Sequence, residues 1–411
     1  MGSRYALADV RGYRTPSVDT QISSAPSAMR DERDAPLVAS PSLLTALSVA
    51  NAIGFMPSTV MPVWVGHLQA PTHGPAWYGG AIASLQLASL TVGNLTARWA
   101  IGSLSPRRMA PIAAGMVAAG FLLMGCSTPL AVISGALLSG SACGWLLASA
   151  NSLAACLERA QQAFALLQIV LVALGIVLFF TLPRILVSYG TGSVFITLAI
   201  TAGAASLLLQ HLPSRPVAAK GAIGSSRTRW KASWRPLTLL AALAAVLMCQ
   251  TGLMACILDA GQRLGLDIPT TGTVLSIAAA LCLLAPIAAR ILGERWRILP
   301  PLTAGMLALA AAALLVTKVS SPAGFCVLTA ALMGLPVFIL PYILALLARF
   351  GEGGRWPAVG PGFMMAGAVV GPAIAGILRL HLALPALGTA LALPIAAAAA
   401  VFALVGPRAP S

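Results

Sequence analysis

Ionisable side chains are scarce in this chain, so each one inside an apolar run is a candidate for chemistry. Asp259, in "GLMACILDAG", is the acid that stands within such a run and away from the basic connections. A charged carboxylate is costly out of water, and burial favours its neutral form, so an acid there could take up and release a proton. The other reading is a helix-end acid paired with Arg263, one turn on. Neutral amides at depth are more numerous. Gln86, Gln250 and Asn51, with Asn151 and Gln168, can each hydrogen-bond a ligand or a neighbouring helix. Trp145, Tyr342 and Met364, with Phe55, Met56, Phe363 and Met365, could line an apolar cavity or simply fill a core.

Other chemistry is missing from the pattern. The four histidines, His67, His73, His211 and His381, fall near the ends of apolar runs or between them. They form no metal-ligand cluster and no Ser-His-Asp set, so no catalytic residue and no metal site is expected. There is no Gly-x-x-x-x-Gly-Lys-Ser/Thr loop, which argues against a nucleotide and against any cofactor. The seven cysteines lie in or beside apolar runs without a close Cys-x-x-Cys pair, and read as small packing residues.

The elements that must position these residues follow from composition. Of 411 residues, 58% are hydrophobic and 9% charged, with a mean hydropathy of +0.90. A soluble domain carries roughly 25% charged residues. The apolar residues also come in blocks of about 20, the length that crosses a hydrocarbon core. The fold class is therefore all-α and membrane-spanning. The net charge of +15 lies in connections between apolar runs, where it sets topology and meets anionic lipid headgroups rather than nucleic acid. Residues 1–40 are polar and lack the apolar region of a signal peptide. They read as a disordered tail.

Twelve apolar segments can be marked, near 43–67, 77–98, 109–126, 129–153, 163–186, 188–210, 237–261, 269–291, 299–317, 322–348, 357–379 and 383–405. This gives an amino-terminal six-helix bundle over 41–210 and a carboxy-terminal one over 237–406. The basic connection "HLPSRPVAAKGAIGSSRTRWKASWRP", 211–236, joins them, and a short tail covers 407–411. With the amino terminus in the cytoplasm, 21 of the 25 lysines and arginines fall on the cytoplasmic side. Only Arg184, Arg263, Lys318 and Arg379 fall outside. That split predicts both termini and the central connection in the cytoplasm. Six plus six helices around a basic linker is the layout of a duplicated transporter, whose substrate sits near the midplane between two halves.

The stretch "GNLTARWAIGSLSPRRMAP", Gly93 to Pro111, carries the more specific signal. It resembles the cytoplasmic motif of the major facilitator superfamily, Gly-x-Leu-Ala-Asp-Arg-x-Gly-Arg-Arg, after the second helix. Gly93, Leu95 and Arg98 match. Ala97 stands where the family has an acid, and Arg107 and Arg108 are displaced by an insertion. A second copy in "APIAARILGERWRILPP" matches through Arg290, Gly293, Arg295 and Arg297. The resemblance covers residues 41–406. It implies two six-helix bundles with pseudo-twofold symmetry, and a cytoplasmic gating role for Gly93, Arg98, Arg107, Arg108, Arg290 and Arg295. It further implies a non-enzymatic secondary transporter working by alternating access as a monomer. Its partners would be a small organic substrate, a coupling proton and membrane lipid, and its expected location is a bacterial inner membrane. The near absence of charge at depth leans the reading to export of an amphipathic compound or metabolite; import of a small solute, or a protein that keeps the fold without transport, are the alternatives. The run "VGPGFMMAGAVVGPAIAG" in the eleventh segment is expected to be a packing seam.

Overall fold

The computed structural model describes residues 40–68, 77–103, 105–126, 128–157, 160–213, 234–295, 297–350 and 355–405. Its first half contains α1 (Pro41–Leu68), α2 (Tyr78–Ser103), α3 (Pro106–Met124), α4 (Pro129–Ala155), α5 (Ala160–Tyr189) and α6 (Thr191–Leu209). The second half contains α7 (Trp234–Ala255), α8 (Ile257–Arg263), α9 (Ile268–Cys282), α10 (Leu284–Arg295), α11 (Leu299–Val316), α12 (Pro322–Ala348), α13 (Arg355–His381) and α14 (Leu384–Val405). Helices α7 and α8 are one span interrupted at Cys256, and α9 and α10 one span interrupted at Leu283. The second break is explained by Pro286, which cannot donate to the carbonyl four residues earlier. Counted so, twelve segments cross the protein in alternating directions.

Local sequence sets many of the helix ends. Pro41, Pro106, Pro129 and Pro322 each open a helix, where the missing N–H has no partner to lose. Asp267 caps α9 by accepting from the Thr270 N–H at 3.1 Å, and Ser321 caps α12 by accepting from Gly324 at 3.2 Å. Gly190 and Gly265 take the left-handed backbone, at φ 80° and 76°, that tight turns between helices require.

Among the described residues, eleven helical stretches are long and apolar enough to cross a membrane. Helix α2 is the twelfth span and is not among them. It dilutes its apolar residues with Gln86, Asn94, Ser84, Ser89 and four glycines. Where the sequence suggested a loop from 99, α2 continues to Ser103 and α3 starts at Pro106. The run Arg98-Trp99-Ala100-Ile101 contains no helix breaker, so the helix does not stop at its first charge.

The packing repeats with an offset of six spans, as a pseudo-twofold axis demands. Helix α2 packs on α4, and its counterpart α9 on α12; α3 packs on α6, and α11 on α14; α1 packs on α5, and α7 on α13. The halves meet through α2 against α13 and through α5 against α9, which the same axis exchanges, and through α1 against α7 and α8.

Candidate functional site

Call the face where α1 begins and α14 ends the terminal face. The interactions that tie the two halves lie toward the opposite face. The Ala373 N–H donates to Ser84 Oγ at 3.0 Å, joining α13 to α2. Ser276 Oγ donates to the Ile176 carbonyl at 3.1 Å, and Arg184 donates to Thr273 Oγ1 at 3.1 Å, both joining α5 to α9. Close backbone approach occurs at the same level. A Cβ on Gly80 would overlap the Pro372 carbonyl, one on Gly376 would press on Trp77, and one on Gly272 would overlap Pro183 and the Phe179 carbonyl. The two bundles are closed on each other at the opposite face.

Helix α8 stands behind this seam. It begins after Cys256, whose backbone leaves the helical region at φ −106° and ψ 11°. It packs on α1 of the first half. Asp259 on α8 pairs with Arg379 on the last turn of α13 at 3.4 Å. Both side chains are shielded, at 21% and 28% exposure. The partner suggested by the sequence, Arg263, turns elsewhere and donates to the Thr317 carbonyl at the end of α11. Spacing along one helix proposed Arg263; packing of α13 against the α7–α8 span supplied Arg379 instead.

The other sequence candidates are spread through the two halves. Asn51 is buried on α1 and donates to the Leu167 carbonyl of α5 at 3.4 Å. Gln86, 1% exposed, donates to Ser139 Oγ of α4 at 2.9 Å and faces the Met124 sulfur at 3.6 Å. Trp145 Nε1 donates to Thr96 Oγ1 of α2 at 3.2 Å. In the second half, half-buried Gln250 donates to the Leu332 carbonyl of α12 at 3.4 Å. Tyr342 donates to the Ala289 carbonyl of α10 at 2.8 Å. Met364 is half-buried on α13. Five of these six therefore have a polar partner within their own half, and the structure does not gather them at one spot.

The motif residues occupy the terminal face. Gly93 lets α2 touch the Ser141 carbonyl of α4, where a Cβ would overlap. Ala97, in the place of the family's acid, is fully buried. Arg107 and Arg108 are exposed at the start of α3, and the Arg107 N–H donates to the Pro213 carbonyl at 3.3 Å. The side chains of Arg98, Arg290 and Arg295 lie outside the described residues. The glycine run of α13 is a packing seam: a Cβ at Gly367 would overlap the Ala244 carbonyl, and one at Gly371 the Met248 carbonyl and Thr251 of α7.

Sequence reasoning missed Arg379 as a partner, and it missed Arg184 as a link between halves. A signal was present. Arg184, Arg263 and Arg379 are three of the four basic residues on the wrong side of the charge split. Each has a specific partner in the structure.

Twelve spans in two bundles related by a pseudo-twofold axis, closed on each other at one face, define the fold of the major facilitator superfamily. Solved structures agree. Nucleoside transporter NupG superposes with a TM-score of 0.70 at 15% identity, covering 88% of this chain and 98% of that one. Peptide transporter POT in complex with sulfate superposes with a TM-score of 0.70 at 12% identity, covering 89% of this chain and 94% of that one. No protein-family model matches the chain. No curated protein matches it significantly.

Proposed function

We propose that the protein is a secondary transporter that moves a small organic molecule across a bacterial inner membrane by alternating access. The observation that carries this is the set of ties between the halves at one face, α13 to α2 and α5 to α9. Two bundles hinged in this way can exchange one closed end for the other around a site between them. The positive-inside split puts the terminal face in the cytoplasm, so the closed face is the outer one. The likeness to a nucleoside transporter and a peptide transporter supports the same reading.

The substrate is a neutral or amphipathic organic compound. No charged residue stands in the middle of any span, whereas an importer of organic anions would need fixed cations at depth. The same lack of charge favours export, driven by protons through Asp259. The protein acts as a monomer, and Gln250 is the amide we assign to the substrate. The cytoplasmic motif around Gly93, Arg98, Arg107 and Arg108, with Arg290 and Arg295 in the second half, gates the inner side.

The test is flux in proteoliposomes of the purified chain under an imposed proton gradient. The panel is nucleosides, dipeptides and amphipathic cations. Accumulation of a neutral or amphipathic member that collapses with the gradient is the expected result. Absence of flux for every compound under either polarity of the gradient overturns the reading. Orientation is tested separately, with a maleimide that cannot cross the membrane. In intact cells, with exposed Cys126 changed to alanine, it should label Ser320→Cys and spare Ser40→Cys; labelling of both from one side rejects the twelve-span threading.

A further inference from the structure

A free backbone carbonyl is costly inside a bilayer, because no water reaches the hydrocarbon core to satisfy it. Proline creates one, since it has no N–H for the carbonyl four residues earlier. Pro57 lies inside α1, Pro336 inside α12 and Pro372 inside α13. They release the carbonyls of Ile53, Leu332 and Ala368. Each of the three meets a side-chain donor on a facing helix. The Cys143 thiol of α4 donates to Ile53 at 3.4 Å. Gln250 of α7 donates to Leu332 at 3.4 Å. The Thr251 hydroxyl of α7 lies 3.2 Å from the Ala368 carbonyl.

The second half uses this device differently from the first. Under the pseudo-twofold axis α1 corresponds to the α7–α8 span and α4 to α12. In the first half the donor stands on α4 and the kink on α1; in the second the donor stands on α7 and the kink on α12. The two donors on α7 are also consecutive residues, so one point on one helix serves kinks in two others. Gly371 makes room for this, because a Cβ there would overlap Thr251. The same hydroxyl lies 2.8 Å from the Leu247 carbonyl and 3.3 Å from the Met248 carbonyl of its own helix. Its single proton is therefore shared between α7 and α13.

The two kinks govern opposite ends of the molecule. Just past Pro372, the Ala373 N–H of α13 reaches Ser84 of α2, and Gly376 comes against Trp77. That piece of α13 belongs to the closed face. Past Pro336, α12 runs toward the terminal face, where Tyr342 holds the Ala289 carbonyl of α10.

We propose that Gln250 and Thr251 are positioning residues that fix the kinks of α12 and α13 from a single point on α7, by donating to the carbonyls that Pro336 and Pro372 release. A proline kink lacks the backbone bond that would set its angle. A donor held by the neighbouring helix sets it instead, and without that donor the angle is free to vary. The Gln250 bond also holds the plane of the amide assigned above to the substrate. That last consequence rests on the transport reading; the two bonds themselves are tested without any substrate.

The experiment is hydrogen–deuterium exchange of the purified chain in lipid nanodiscs, read at the amides flanking each proline. Gln250→Leu should speed exchange around Pro336 by a few-fold to about tenfold, the worth of one neutral hydrogen bond, and leave the Pro372 region unchanged. Thr251→Val should do the reverse. Thr251→Ser keeps the hydroxyl and should exchange like the parent chain. Pro336→Ala restores the N–H that Leu332 lacks, so adding Gln250→Leu to it should change nothing there. Thr251→Val added to Pro372→Ala should be silent in the same way. A spin-label distance between exposed Cys126 and exposed His381→Cys reads the outer piece of α13, with Cys156, Cys282 and Cys326 changed to alanine. Its distribution should broaden in Thr251→Val and stay narrow in Thr251→Ser and Gln250→Leu. Effects that spread over both helices in either variant, or that persist at full size in the Pro→Ala backgrounds, overturn the proposal. So does exchange that neither variant alters. If the Pro→Ala chains fail to fold, Thr251→Val against Thr251→Ser decides: equal exchange in the two rejects the hydroxyl as a clamp. Each of these failures leaves the flux test of transport standing, and absence of flux leaves the exchange result standing.

Discussion

The two halves share one backbone plan but hold it together in different places. In the first half the tightest seam is between α2 and α4. Cβ atoms on Gly93, Gly140 and Gly144 would overlap backbone carbonyls of the facing helix. The equivalent pair in the second half, the span of α9 and α10 against α12, shows no such seam among the described residues. It is joined by Tyr342 to the Ala289 carbonyl and by Cys282 to the Met333 carbonyl. The second half puts its glycine seam between α7 and α13, at Gly367, Gly371 and Gly252. The first-half equivalent, α1 against α5, relies on the Asn51 amide. Glycine contacts leave no side chain to repack, so such a pair moves as one body. A hydrogen-bonded pair can slide and re-form.

The difference gives the closed face two unlike sides. Helices α2 and α13 meet there, and each is fixed to its own bundle by a glycine seam. Helices α5 and α9 meet on the other side, and among the described residues neither is attached to its bundle by a comparable glycine seam. One side is stiff and the other compliant. Arg184, which joins α5 to Thr273 of α9 and lies over the Phe180 ring at 3.7 Å, is a tie on the compliant side.

The strongest way to break this comparison is to thicken the seams. Gly144→Ala and Gly371→Ala should each destabilise the protein by about 1–3 kcal/mol through overpacking. Gly115→Ala and Gly203→Ala, where the added methyl meets nothing within 4 Å, should cost nothing. Thermal unfolding in detergent separates the two classes, and equal melting temperatures across the four would remove the distinction. The polar pairs should be cheaper to disturb: Tyr342→Phe should lose about 0.5–1.5 kcal/mol and show faster amide exchange in α10, with α13 unaffected.

Two further measurements sharpen it. Gln86 is sealed inside the first half, while Gln250 is half-open on α7. Gln250→Leu should therefore weaken substrate affinity from a few-fold to about tenfold, whereas Gln86→Leu should lower stability and leave affinity alone; the reverse pattern would place the substrate on the first half. The smallest effect concerns Asp267. Its bonds to Thr270, helped by nearby Arg184, hold the exposed carboxyl below the usual carboxylate range. A depressed folded-state pKa stabilises above the unfolded value and is lost as pH falls through the folded one. Asp267→Asn should lower stability slightly at neutral pH and flatten the acid limb of a stability profile below about pH 4.

Much of this was legible in the sequence. Periodic apolar runs and the distribution of arginine gave the twelve spans and their two groups of six, because bilayer thickness leaves few other arrangements for such a chain. The breaks at Cys256 and Leu283 were not visible as breaks, since both lie inside continuous apolar runs. Nor was the pairing of Asp259. A carboxylate chooses its partner in three dimensions, and Arg379 is distant in sequence and adjacent only because α13 packs along the α7–α8 span. The glycine run of α13 pointed to a seam from its composition alone; that it faced α7 on one flank and α2 on the other required the fold.

Helix α2 has one more consequence, for how the chain is made. Its apolarity falls short of that of the other eleven spans, so it has the weakest tendency to leave the insertion machinery and partition alone into lipid. Its polar groups find their partners on α4: Gln86 on Ser139, Ser89 on the Ala136 carbonyl. Those partners are synthesised only two spans later. The polar groups of α2 are thus satisfied only once α4 has been made, and stable insertion of α2 is expected to depend on that later span.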